Sequence, residues 1–137
     1  MEKTLEDFCV IGKTYDENSI RELNPLTLAY LGDAVFELLV RTHVLRGNLS
    51  ANKLYRESIK YVKAKNQRQL LEKILPNLSE EEVKIYKRGR NAKPHTIPKN
   101  AEITDYKVAT GLEALFGYLY LLEREDRIVK IFMEMIK

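Results

Sequence analysis

The sequence predicts an all-α protein, a helical bundle of about six or seven helices. Three observations predict it. Apolar residues recur three and four positions apart in successive windows, while no segment sustains the alternation of a half-buried strand. Side chains that cap helices stand just ahead of those windows, at Asn24, Ser50, Ser79 and Thr104. Glycine or proline punctuates their ends, at Gly47, Pro76 and Gly89. The chain carries no internal repeat and no low-complexity tract.

Taken in order, the first strong start is Asn24 followed by Pro25, a cap and then a residue whose missing N–H is harmless at the first helical position. The apolar pattern runs on to Arg46 and stops at Gly47, which predicts a long, largely buried helix. Ser50 caps a second helix from Ala51 to about Tyr61; Leu54, Ile59 and Val62 are sparse beside its lysines, so it belongs at the surface. From Lys63 to Leu75 the pattern continues helically, with Leu70, Leu71, Ile74 and Leu75 inward, until Pro76 prevents extension. Ser79-Glu80-Glu81-Glu82 reads as a capping box with acids at the positive end of the helix dipole; it leads into Val83, Ile85 and Tyr86, and the helix frays at Gly89. Between Asn91 and Ile103 two prolines and two asparagines leave no periodicity, the mark of a loop. Thr104 then caps a second long apolar helix, Asp105 to Glu123, and Arg127 to the C-terminus forms a last amphipathic helix on Ile128, Ile131, Phe132 and Ile136.

At 137 residues the chain is sized for a single domain, residues 1–137, with its own core. With 45% hydrophobic and 31% charged residues it has an ordinary globular composition, and no apolar run nears the roughly 20 residues that span a bilayer. Met1 to Asp7 lacks the basic start and apolar stretch of a secretory signal, so the expected compartment is the cytoplasm. Cys9 is the only cysteine, which rules out an internal disulfide and leaves it as a small apolar residue. The net charge of +3 hides a segregation. Lys53 to Lys73 holds seven basic residues against two acidic, and Lys84 to Lys99 six against none, eleven excess positive charges in all; the remainder is net acidic. Either segment alone could be a solvated face, but together they point to a polyanion such as nucleic acid.

The chemistry begins at Leu28 to Glu37, where Asp33 and Glu37 interrupt an apolar run. Four residues apart, they share one helix face and repel unless a cation sits between them. Gly32 costs about 1 kcal/mol of helix propensity relative to Ala, so something packs or approaches closely at that turn. Glu113, set among Gly111, Ala114 and Gly117 on the other long apolar helix, is the counterpart of Asp33. An isolated buried carboxylate costs several kcal/mol or takes up a proton unless it meets a cation. A divalent metal held between the two helices satisfies both, and oxygen ligands with few other donors favour Mg²⁺; an ion pair with Arg41 or another basic residue is the structural alternative. His43 and His95 have no partner at ligand spacing and read as polar surface residues, and there is no Gly-rich phosphate loop or nucleophile elbow. Tyr30, Phe36, Tyr118 and Tyr120 read as core or interface. Acidic metal ligands beside a basic surface combine in one reaction, metal-activated hydrolysis of a phosphodiester.

These motifs carry a resemblance. Leu28-Ala29-Tyr30-Leu31-Gly32-Asp33-Ala34-Val35 resembles the signature helix of the ribonuclease III family, and Thr110-Gly111-Leu112-Glu113-Ala114-Leu115-Phe116-Gly117 its second acidic motif. Lys87-Arg88-Gly89-Arg90-Asn91-Ala92-Lys93 and Thr96-Ile97-Pro98-Lys99-Asn100 are similar to the Mini-III branch, which has the catalytic domain without a separate double-stranded-RNA-binding domain. The resemblance covers nearly the whole chain. It implies an all-α endonuclease domain, a homodimer, and Mg²⁺-dependent cleavage of double-stranded RNA that leaves 5′-phosphate and 3′-hydroxyl ends, in maturation of precursor 23S ribosomal RNA. By position, Asp33 and Glu113 match the catalytic, metal-binding carboxylates. Ala29 and Thr110 stand where longer family members have Glu and Asp, so fewer protein ligands are expected, with water and RNA phosphate completing the shell and Glu37 assisting through a water. Tyr30 stands where an aromatic residue plugs into the partner subunit.

With no appended RNA-binding domain expected, the catalytic domain must hold an A-form duplex by its phosphates and 2′-hydroxyls. Arg88, Arg90, Asn91 and Lys93, in the basic segment that runs on to Lys99, together with Lys63, Lys65 and Gln67, are the expected RNA contacts. Two other readings stay open on the residues alone: a non-catalytic double-stranded-RNA-binding module of the same fold, and a protein scaffold with no RNA role.

Overall fold

The computed structural model describes residues 15–45, 48–93, 96, 99 and 102–137; the calls on Cys9, Gly47 and His95 lie outside them. Among the described residues there are seven α-helices and no strand: α1 (Glu17–Arg21), α2 (Pro25–Val44), α3 (Ala51–Val62), α4 (Ala64–Ile74), α5 (Glu80–Asn91), α6 (Ile103–Leu121) and α7 (Glu125–Met135). A 3-10 turn at Leu75–Asn77 carries Pro76 after α4. The all-α expectation holds. No helix among the described residues is long and apolar enough to cross a membrane.

The axis of the bundle is α6. Every residue from Val108 to Leu121 is buried except Glu113 and Tyr120, because the helix is apolar on all sides and α2, α4, α5 and α7 pack around it. Helix α2 is not largely buried, as its sequence suggests, but lies outside α6 and buries one stripe: Leu28, Ala29, Gly32, Phe36, Val40 and Val44. Its outer face leaves Tyr30 84% exposed and Leu38 exposed. Phe36 meets Phe116 of α6 at 5.5 Å and Phe132 of α7 at 6.0 Å between ring centroids, joining three helices in one aromatic cluster.

Helix ends follow the capping chemistry in most places. Asn24 Oδ1 accepts from the Leu26 N–H, and Ser50 Oγ from that of Lys53. At α5 the capping box closes in both directions, with Ser79 Oγ accepting from Glu82 N–H and Glu82 Oε1 from Ser79 N–H. Glu82 is buried and also takes two hydrogen bonds at 2.7 Å from Arg127, which fastens α7 to the start of α5. Three expectations are corrected. Helix α5 does not fray at Gly89 but continues to Asn91, because Gly89 packs on Gly111, where a Cβ would sit 2.9 Å from the Gly111 Cα. Helix α6 begins at Ile103 rather than after a Thr104 cap, and its N-cap, Glu102, makes no side-chain hydrogen bond. The last helix starts at Glu125, not Arg127.

The turn between α6 and α7 holds the one described non-glycine residue at positive φ, Glu123 at 58°. There the Glu123 N–H donates to the Tyr120 carbonyl and the Arg124 N–H to the Leu119 carbonyl, a helix stop that favours glycine at the left-handed position. Glu123→Gly is therefore expected to raise stability by about 0.5 to 1 kcal/mol in chemical denaturation.

Candidate active site

Gly32 determines how α2 meets α6. A Cβ on Gly32 would lie 1.6 Å from the Glu113 carbonyl oxygen, and one on Gly117 would lie 2.1 Å from the Leu28 carbonyl oxygen. Only glycine at both crossings lets the backbones come this close. The residue after Gly32 is Asp33, and the carbonyl that fills the place of the missing Cβ belongs to Glu113. The contact that closes the helix pair therefore sets the two carboxylates side by side.

They line one cavity of about 360 Å³, together with Leu26, Ala29, Tyr30, Thr96, Tyr106 and Thr110. Burial first, and the adjacent negative charge of Asp33 second, push the Glu113 carboxyl up to about 9, and its O–H donates to the Asp33 carboxylate. Among the described residues that line the cavity none is basic. A carboxylate pair that burial and mutual repulsion drive to keep a proton has the electrostatic form of a site for a hard divalent ion. The donor set matches: two carboxylates, and among the described residues no group of three or more His, Cys, Asp or Glu side chains that would hold a metal without outside ligands. Ala29 and Thr110 form buried wall, and the Thr110 hydroxyl donates back to the Tyr106 carbonyl at 2.9 Å.

The other expected residues are distributed more widely. Arg41 bonds Glu37 at 2.9 Å, so Glu37 already has a partner, and among the described residues no ion pair forms at Asp33. Tyr30 stands exposed at the cavity rim rather than in the core. Lys63 and Lys65 are exposed at the α3–α4 junction. Gln67 is only 3% exposed and its Nε2 donates to the Val62 carbonyl, so its side chain is used inside the fold rather than offered to RNA. Arg88 and Arg90 point to different sides of α5: Arg88 donates to the Leu23 carbonyl at 3.3 Å, while Arg90 lies 5.7 Å over the Tyr86 ring and donates to Asn91 Oδ1. Asn91, Lys93 and Lys99 are exposed. His43 is half-buried, and its ring meets Tyr61 and Phe132 edge-on. Sequence reasoning missed Tyr106, although stepping back from Glu113 by three and then four positions reaches Thr110 and Tyr106 on the same helix face.

Comparison with known proteins shows the family. Residues 26–124 match the family model of the ribonuclease III domain. The Mini-ribonuclease 3 of Clostridium tetani is 44% identical over 88% of this chain and 82% of its own length. That of a Thermoanaerobacter species is 43% identical over 96% and 93%, and that of Staphylococcus aureus 46% identical over 88% and 92%. A crystal structure of a Fusobacterium nucleatum protein superposes with a TM-score of 0.77 at 39% identity, covering 85% of this chain and 94% of that one. With its acidic pair set between two glycine-crossed helices and this likeness along most of its length, the chain belongs to the ribonuclease III family, among the Mini-ribonuclease 3 proteins, and is an endoribonuclease.

Proposed function

We propose that this endoribonuclease hydrolyses double-stranded RNA as a homodimer, with Mg²⁺ held by Asp33 and Glu113, and that it matures precursor 23S ribosomal RNA in the cytoplasm. The observation that carries the reading is the placement of Glu113 against Gly32, which brings Asp33 and Glu113 together in one open cavity. In hydrolysis the water oxygen bonds to phosphorus and the P–O3′ bond breaks, leaving a 5′-phosphate and a 3′-hydroxyl. Mg²⁺, when bound, supplies Lewis acidity and offsets the charge that builds on the phosphate. Asp33 and Glu113, once the proton on Glu113 is released to solvent, would hold the ion as two carboxylates, and the uncharged walls at Ala29 and Thr110 leave the rest of the space to water and the phosphate. Tyr106 and Thr96 border that space.

The homodimer is supported by the outer face of α2, where Tyr30, Ala34 and Leu38 form an exposed stripe of neighbours four apart. Two sites related by a two-fold axis would each cut one strand of a duplex. The ribosomal substrate rests on the resemblance of the two basic motifs to the Mini-III branch. Incubation with a plain RNA duplex, with Mg²⁺ or with a chelator, followed by mapping of the ends, tests the reading. Cleavage only with Mg²⁺ and 5′-phosphate ends are expected. Tight duplex binding with no cleavage would favour the non-catalytic module instead.

A further inference from the structure

Six ion pairs join described residues, and Arg68–Asp105 differs from the rest. In the other five a hydrogen bond closes the pair: Arg127 on Glu82, Arg41 on Glu37, Lys60 on Glu57, Arg21 on Glu81 and Arg124 on Glu17. Arg68 Nη1 stands 3.7 Å from Asp105 Oδ1, outside hydrogen-bond reach. The Arg68 side chain is 50% exposed and that of Asp105 15%. Asp105 lies in the first turn of α6, where the helix dipole favours a carboxylate. The acid therefore lies mostly buried in a favourable field, while the guanidinium, half exposed on α4, makes no hydrogen bond to it.

Arg90 of α5 lies 5.7 Å over the Tyr86 ring, and the positive charges of Arg90 and Arg68 both oppose the burial that pushes the Tyr86 hydroxyl up. One position on from Asp105, Tyr106 of the same helix lines the carboxylate cavity. We propose that Arg68 binds a backbone phosphate of the RNA duplex, and that Asp105 holds the guanidinium in place until that phosphate displaces it. A phosphate offers the planar fork of Arg68 the paired hydrogen bonds that Asp105 does not make. A pair without a hydrogen bond whose cation is half exposed contributes little of its own, so the exchange favours the phosphate. The proposal rests on the duplex-RNA reading above.

The test is the affinity for a fluorescent RNA duplex in chelator, read by anisotropy at several salt concentrations, for wild type, Arg68→Ala, Arg68→Lys and Asp105→Asn. Arg68→Ala is expected to weaken binding about 3- to 10-fold and to flatten the dependence of log Kd on log salt by about one unit. Arg68→Lys recovers part of the loss, since it keeps the charge without the fork. Asp105→Asn, which removes the competitor, is expected to tighten binding at least about twofold. A purely structural pair would weaken binding from both sides, so the opposite signs are diagnostic, and thermal unfolding of each variant identifies any loss of fold. Unchanged affinity and salt slope in Arg68→Ala, or no gain in a folded Asp105→Asn, would overturn the proposal while duplex binding by the wild type stood. A wild type that does not bind duplex RNA would overturn the duplex reading and this proposal with it.

Discussion

Glu113→Gln is expected to reduce RNA cleavage at least about a hundredfold, and Asp33→Asn by a similar factor, because each removes one of the two carboxyl groups among the described residues that line the cavity. Neither substitution should unfold the protein. The metal-free fold should become more stable in Glu113→Gln, and the sign follows from the proton. The unfolded carboxyl ionises near its ordinary value of 4.5, whereas the folded one keeps its proton to about 9. The stability contributed by that retained proton is fully present below about 4.5 and is lost progressively as pH rises toward 9. At pH 8, in chelator, wild type is therefore expected to be less stable than Glu113→Gln by about 1 to 3 kcal/mol, discounted for the partial exposure of the site, and the gap should close near pH 5. Denaturant melts at the two pH values check this. A variant that cleaves at the wild-type rate, or a stability gap independent of pH, would contradict the assignment.

Gly32→Ala is expected to damage the fold more than any substitution at the cavity. The added carbon would stand 1.6 Å from the Glu113 carbonyl oxygen and 2.7 Å from the Gly117 nitrogen, both backbone atoms of the central helix that cannot swing aside. Helices α2 and α6 would have to separate, at a cost of about 3 kcal/mol or more, above the usual range for overpacking because backbone meets backbone. Activity should fall with it, since the same contact sets Asp33 beside Glu113. Gly117→Ala, 2.1 Å from the Leu28 carbonyl oxygen, should behave alike. A midpoint of chemical denaturation within error of wild type would show that the helices tolerate a wider crossing.

The residues that reveal the site in the sequence are those that violate local propensity. Gly32 and Asp33 in an apolar helix, and Glu113 among small residues, are unfavourable locally and make sense only as a close helix crossing with charge beside it. Caps are similarly legible at Asn24 and at Ser79, because their chemistry involves neighbours two or three positions away. What depends on distant partners was not. Gly89 reads as a breaker until Gly111 is seen against it, and Gln67 as a surface amide until its bond to the Val62 carbonyl is seen. The short helix α1, capped by Asp16 and Ser19, is too brief to show periodicity. Arg88 and Arg90 look like one basic patch in the chain, but two positions on a helix turn the side chains to different sides.

The most direct test is the single-turnover rate of cleavage of a defined RNA duplex against Mg²⁺ concentration, with wild type and Glu113→Gln compared. Saturable dependence on Mg²⁺ in wild type, no cleavage in chelator, and a residual rate at least about a hundredfold lower in the variant at saturating metal are the expected results. Full cleavage in chelator, or a Glu113→Gln curve that coincides with wild type, would contradict a divalent-cation site built on Asp33 and Glu113.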